Sequence, residues 1–216
     1  MTRHTKRNVA PKNWPIPRKG TKYVVKPKSS LENSIPLLIL LRDVLKITKT
    51  KKEVKQIIHE KKVKINSRGV ISEKEGVMLF DVLVIKDFKN YKLDLSEKGK
   101  FTLKEISEKD LGEKISKVIN KKMLNKKKVQ INLSDGRNYL SDLKCKVNDS
   151  VVVDLEKKKI VKCLELKEGA EVLIVKGKHA GERGKIDKIY PERKMVRVKE
   201  EDRKTQVLIK QMIVVK

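Results

Sequence analysis

Three glycines, Gly177, Gly181 and Gly184, stand among Lys176, Lys178, His179 and Arg183 in the run VKGKHAGERGKI, the most specific short motif of this 216-residue chain. Glycines at that spacing between two β-like runs permit positive φ and a close approach of backbone to a partner. The basic side chains beside them can meet phosphate oxygens. Nucleotide hydrolysis does not fit the motif. A P-loop needs Gly-Lys followed by Ser or Thr ahead of a helix, whereas Gly177-Lys178-His179 lies between strands. His179 has no Ser, Cys or paired carboxylate near it in sequence, and neither HExxH nor GxSxG occurs, so no catalytic residue is expected.

Four further basic clusters point the same way. Residues 1–31 hold Arg3, Lys6, Arg7, Lys12, Arg18, Lys19, Lys22, Lys26 and Lys28, no acid, and Pro11, Pro15, Pro17 and Pro27. Such composition cannot build a core alone and suits a disordered basic tail. Trp14 and Tyr23 alter that reading, because a Trp among prolines and cations can stack on a base or pack against a folded body. The segment, His4 included, reads as an arm that becomes ordered against RNA. Removing residues 2–30 is expected to leave the globular parts folded. Lys51, Lys52, Lys55 and Lys62 lie on or near one side of a helix whose apolar side is Val54, Ile57 and Ile58. Lys64 and Arg68 continue the excess around the turn Asn66-Ser67-Arg68-Gly69. Lys121, Lys122, Lys126, Lys127 and Lys128 place five lysines in eight residues, as a phosphate patch or as a solvated loop.

The whole chain has 55 Lys and Arg against 28 Asp and Glu, a net charge of +27 that implies a polyanionic partner. The longest apolar run, Ile35 to Leu41, is seven residues and contains a proline, far below the roughly 18 to 20 of a membrane span. Aromatics at 4% supply few anchors for a membrane surface, so nucleic acid is the better partner. No apolar segment of a secretory signal follows the basic start, and a cytoplasmic or nuclear location is expected. Cys145 and Cys163 lie in different apparent strands without Cys or His at ligand spacing. They read as small buried hydrophobes, with no metal and no cofactor.

Elements must hold these clusters in place. The pattern predicts helices over 36–47, with Ser34 as cap and Pro36 in the first turn, and over 51–61, with Thr50 and Glu53 as a capping box. Strands are expected near Val63 to Asn66 and Val82 to Ile85, a mostly β stretch follows over 88–165, and several β runs crowd into 166–216. The fold class is α+β, mostly β. It comprises an extended basic N-terminal arm over 1–33, a small helical RNA-binding module over 34–87, a central β-rich domain over 88–165 and a small barrel over 166–216.

The helix pair followed by VKINSRGV resembles the RNA-binding module of bacterial ribosomal protein four, pseudouridine synthases and some tyrosyl-tRNA synthetases. The glycine run resembles the KOW motif of SH3-like barrels. In order, RHTKRNVAPKNWPIPRKGTKYVVKP, SIPLLILLRDVLKITKTKKEVKQIIHEKKVKINSRGV, a β-rich middle and the KOW-bearing end resemble the e-type small-subunit ribosomal protein four of archaea and eukaryotes, across nearly the whole chain. That resemblance implies a structural constituent of the small ribosomal subunit that supports assembly and translation. It binds rRNA through the arm, the S4-like module and the barrel, beside neighbouring ribosomal proteins and without a small-molecule substrate. Carried to this chain, the arm positions are Arg3, His4, Lys6, Arg7, Pro11, Lys12 and Trp14, and the module positions are Arg42, Lys55 and Lys64 to Gly69. The end at Lys216, without a long basic tail, and the heavy Lys and Ile usage favour an archaeal or reduced-genome source. Two rivals explain less: an RNA-modifying enzyme would need a catalytic aspartate in a larger domain, and a free factor with a KOW barrel leaves the arm without a purpose.

Overall fold

The computed structural model describes residues 4–86, 88–107, 111–124, 129–141, 143–200 and 203–215. It is mostly β and forms two compact units, one of residues 1–95 with 100–111, the other of residues 96–99 with 112–216.

In the first unit β1 (Thr5–Lys6) pairs with β2 (Tyr23–Val24), and β3 (Ser34–Pro36) pairs with a later strand β6 (Gly76–Met78). β4 (Val63–Ile65), β5 (Arg68–Gly69), β7 (Val82–Ile85), β8 (Asn90–Leu95) and β9 (Phe101–Glu105) form an antiparallel sheet in the order β5-β4-β7-β8-β9. Helix α1 starts at Leu37–Ile39 and continues as a π turn over Leu40–Val44. Leu37, Leu38, Ile39, Leu40 and Leu41 are all buried. A segment apolar at every position has no outer face, which makes this helix the centre of the core rather than a cover for it. Ser34 does not cap it. Ser34 sits in β3 and its hydroxyl donates to the Ser30 carbonyl at 2.6 Å, while Pro36 holds the cap position without a side-chain bond.

Helix α2 (Lys51–His59) carries the expected capping box: the Thr50 hydroxyl accepts from the Glu53 amide at 3.3 Å, and the Glu53 carboxylate accepts from the Lys49 amide at 2.8 Å. The Lys49 amide first, and then the Thr50 hydroxyl, which donates to the same carboxylate at 2.8 Å, hold the Glu53 carboxyl below its ordinary range.

Two expectations change here. Strands β8 and β9 were expected in a central domain beginning at residue 88, but β8 pairs with β7 and β9 with β8, completing the first sheet with buried Leu93, Leu95 and Phe101. The arm is also not a segment waiting for RNA. Trp14 is 2% exposed and its indole Nε1 donates to the Ser34 carbonyl at 3.0 Å, while the Asn13 carbonyl accepts from the Phe101 amide at 2.8 Å. One large aromatic anchors a proline-rich chain that lacks enough apolar residues for a core of its own.

The second unit holds two five-stranded antiparallel sheets. β10 (Glu113–Met123), β11 (Val129–Leu133), β12 (Asn138–Leu140), β13 (Ser150–Asp154) and β14 (Lys159–Leu164) run in the order β12-β11-β10-β13-β14. β15 (Glu171–Ile174), β16 (Arg183–Tyr190), β17 (Met195–Glu200), β18 (Arg203–Leu208) and β19 (Met212–Val214) run in the order β18-β17-β16-β15-β19. Each sheet has its own core, one with Val118, Ile131, Leu133 and Val151, the other with Val172, Ile174, Val196 and Val198. Thus 112–165 and 166–215 share one compact unit. Cys145 is buried and Cys163 half-buried, both as free thiols in the first of these cores.

Lys117 of β10 joins the two sheets. It is 6% exposed, and its ammonium donates to the Met212 carbonyl at 2.9 Å and to the Ile209 carbonyl. Burial without a carboxylate partner pushes its pKa down to about 8.

Two outcomes test this packing. Trp14→Ala should destabilise the first unit by about 3 to 5 kcal/mol in chemical denaturation, and deletion of residues 2–30 should cost at least as much. For Lys117, the unfolded chain keeps its proton up to about pH 10.5 while the folded chain loses it near 8. Stability should therefore rise across that window, by up to about 3 kcal/mol relative to Lys117→Met measured at the same pH values.

Candidate nucleic-acid interface

In the first unit the basic residues divide into engaged and exposed sets. Arg7 is engaged: its Nε and Nη1 donate to the Thr21 and Pro17 carbonyls at 2.7 and 2.8 Å, and Nη2 donates to the Thr21 hydroxyl at 2.7 Å. The guanidinium thus ties down the arm's own 17–21 loop. Arg42 pairs with Asp43 at 2.8 Å, and that hydrogen bond raises its pKa. Lys51 meets Glu73 at 3.2 Å and Lys62 meets Glu60 at 2.8 Å. In contrast His4, Lys6, Lys12, Arg18 and Lys19 of the arm, Lys52 and Lys55 of α2, and Lys64 and Arg68 of the hairpin are exposed. Trp14, named with the arm residues as a stacking side chain, is buried and has no face for a base. The exposed aromatic of the arm is Tyr23, which the His4 ring meets edge-on at 4.3 Å between centroids.

The hairpin tip is set by geometry that the residue types announce. Asn66 and Ser67 both have positive φ, 51° and 63°, as a two-residue type I′ turn requires. The Asn66 side chain is buried, donating to Asp81 Oδ1 at 2.7 Å and accepting from the Val82 amide at 2.9 Å. With the tip clasped from inside, Lys64 in β4 and Arg68 in β5 sit on neighbouring strands and face solvent. Ile65 and Val63 alternate with Lys64 into the core.

In the second unit the glycine motif bridges β15 and β16, as its flanking runs imply. The glycines serve the protein's own packing. Gly181, at φ 98°, backs onto the Ser96 carbonyl so closely that a Cβ would collide with it. A Cβ at Gly184 would lie 2.6 Å from the Lys199 carbonyl, and one at Gly177 would lie 3.2 Å from the Gln211 amide oxygen. These three are therefore architectural, and Lys176, Lys178 and Arg183 around them present the exposed cations. His179 Nδ1 lies 3.0 Å from Glu182 Oε1, a contact that closes the turn.

Lys121 and Lys122 are not loop residues but the end of the long strand β10. Alternation sends them to opposite faces, Lys122 exposed and Lys121 half-buried beside Ile131. Arg3, Lys126, Lys127 and Lys128 lie outside the described residues. Among the described residues no cluster of His, Cys, Asp or Glu could hold a metal ion, and no helix is long and apolar enough to cross a membrane.

What reasoning from sequence missed is which cations are already spent on carboxylates and carbonyls. Only Arg42-Asp43 and Lys62 near Glu60 carried a signal in the sequence, by adjacency. Arg7 with Thr21 and Lys51 with Glu73 meet through the fold.

Comparison with known proteins adds identity to this geometry. Residues 1–29 match the RS4NT (NUC023) domain, residues 88–160 the Ribosomal family S4e, and residues 168–199 the KOW motif. A small ribosomal subunit protein eS4 from Archaeoglobus fulgidus is 41% identical over 188 residues, spanning 85% of this chain and 78% of the relative. Its counterpart from Nanoarchaeum equitans is 34% identical, over 88% of this chain and 83% of the relative. The crystal structure of the 30S ribosomal protein S4e from Thermoplasma acidophilum shares the fold with a TM-score of 0.74 at 24% identity, covering 85% of this chain and 95% of that one. With relatives this similar across most of its length, a matching N-terminal domain and a KOW motif in the second sheet of the second unit, the chain belongs to the eS4 family of small ribosomal subunit proteins.

Proposed function

We propose that this protein is a structural constituent of the small ribosomal subunit. It holds small-subunit rRNA by its phosphates, contacts neighbouring ribosomal proteins, supports subunit assembly and translation, and acts in the cytoplasm as part of the ribosome. The observation that carries this reading is the exposure of Lys52, Lys55, Lys64 and Arg68 on one helix and the hairpin that follows it. Exposed cations gain from counterion release when they neutralise a nucleic-acid backbone.

The remaining contacts are assigned on the same principle. The arm contributes His4, Lys6, Lys12, Arg18 and Lys19. Residues 34–87 act as an S4-like module, and the second sheet of the second unit acts as an SH3-like KOW barrel through Lys176, Lys178 and Arg183. Lys122 extends the contact surface. Arg3, Lys126, Lys127 and Lys128 are assigned by their place in the sequence. Arg7, Arg42, Lys51 and Lys62 have protein partners and contribute less. The protein carries out no chemistry.

Sedimentation of cell extract tests the assignment, with the chain expected to travel with small subunits through a high-salt wash. Recovery mainly in free fractions would sink it. In a binding titration with small-subunit rRNA, affinity should fall steeply with salt. The double variant Lys64→Ala with Arg68→Ala should flatten the log–log slope by roughly 0.7 to 0.9 per side chain removed, whereas Arg42→Ala should leave the slope nearly unchanged.

A further inference from the structure

The first sheet of the second unit has a solvent face on which Lys122 is the one side chain assigned to phosphate. Antiparallel register sets Asn120, Asn132 and Asn138 in one row across β10, β11 and β12, and Lys122, Gln130 and Leu140 in the row beside it. Residues directly opposite in an antiparallel pair share a face, and so do residues two apart along a strand. All six side chains therefore lie on one side of the sheet. On the other side, Ile131 and Leu133 are buried, with Val129 and Tyr139 packed against the same core. Asn120, Lys122, Asn138 and Leu140 are exposed, and Asn132 and Gln130 half-exposed.

Four amides in two adjacent rows are an unusual choice for a strand, because Asn is disfavoured there and a merely solvated face is served better by Thr. Their hydrogen bonding is only partly used. Asn120 Oδ1 accepts from the Lys121 amide at 2.8 Å, and Gln130 Nε2 donates to Asn132 Oδ1 at 2.9 Å. Among the described residues, Asn132 Nδ2, Gln130 Oε1 and the whole Asn138 side chain have no bond to protein. A bulge at Ile119 separates this part of β10 from the half that pairs with β13.

The charge around the face selects the partner. From Lys114 to Leu140 the only acid is Asp135, and Lys114 neutralises it at 2.9 Å inside the protein, so the segment holds no further acid to offset Lys122 and Arg137. A polyanion fits, and amides carry both a donor and an acceptor in one plane, which matches the two-point edge of adenine. A flat sheet face cannot enter the deep, narrow major groove of an RNA duplex, but splayed bases can lie on it. Leu140, 60% exposed on the edge strand β12, gives an apolar surface for a base plane.

We infer that this face reads the base edges of unpaired, adenine-bearing RNA. The inference rests on the proposed rRNA-binding role and adds a sequence-selective contact to phosphate binding.

Fluorescence anisotropy on the full chain tests it, with labelled 12-nucleotide oligo(A), oligo(U) and a 12-base-pair RNA duplex as probes. The variant N120T/N132T/N138T removes the amide row with residues that favour strands, and N138T alone, on the exposed edge strand, serves should the triple variant fold poorly. The wild-type chain should bind oligo(A) at least fivefold tighter than oligo(U) and tighter than the duplex. The triple variant should lose that preference, and N138T part of it, with the salt dependence unchanged because no charge is removed. Equal wild-type affinities for the two single strands, tighter binding of the duplex, or a preference that survives in the variants overturns the inference. Binding of small-subunit rRNA by the wild-type chain is measured alongside: its absence defeats the ribosomal role itself, whereas its presence without adenine preference defeats the amide face alone.

Discussion

Alternation of side chains across a β-strand is the constraint on which this protein depends. A chain with 55 cations and a net charge of +27 repels itself, yet 38% of its residues are apolar and must be brought together. Strands solve both problems at once, because every second residue turns inward while its neighbours remain in water. In β4 the order Val63, Lys64, Ile65 does this in three residues, and in β17 Val196 and Val198 are buried on either side of Arg197. The apolar start of α1, Leu37–Ile39, is buried at every position and has no exposed side to charge.

Charge that does go inside is met in kind. Lys114 reaches Asp135, whereas Lys117 donates to the Ile209 and Met212 carbonyls and is displaced toward the neutral amine. A β10 lysine holding the backbone around Ile209 and Met212, and the Ser150 hydroxyl accepting from the Val214 amide at 2.9 Å, tie the two sheets of the second unit together. Comparable use of a polar group to fix backbone occurs at Arg7 in the arm and at Asn66 in the hairpin. In both, a side chain whose type suggests a partner outside the protein is committed within it.

Much was legible beforehand, for identifiable reasons. The capping box at Thr50 and Glu53, the hairpin turn at Asn66 and Ser67, and the strand–turn–strand setting of the glycine motif depend on bonds within a few residues. Local residue types announce such bonds. The family resemblance was legible for the same reason, since it rests on ordered local motifs spanning most of the chain. The strands over 90–105 were legible as strands but were grouped with the central stretch over 88–165, because period 2 reveals a buried side without naming the neighbour that covers it.

By itself the sequence determined that the protein would be a mostly β, strongly basic chain of the e-type ribosomal family, because composition, alternation and motif order are properties of the chain read along its length. Only the tertiary structure decided which cations are available. Trp14 goes into a core, Arg7 around a loop, the three glycines against their own backbone, and three asparagines distant in sequence onto one exposed row. The physical reason is that availability depends on what lies within about 3 Å of a group in space, and strand pairing and burial bring together residues whose separation along the chain carries no such information.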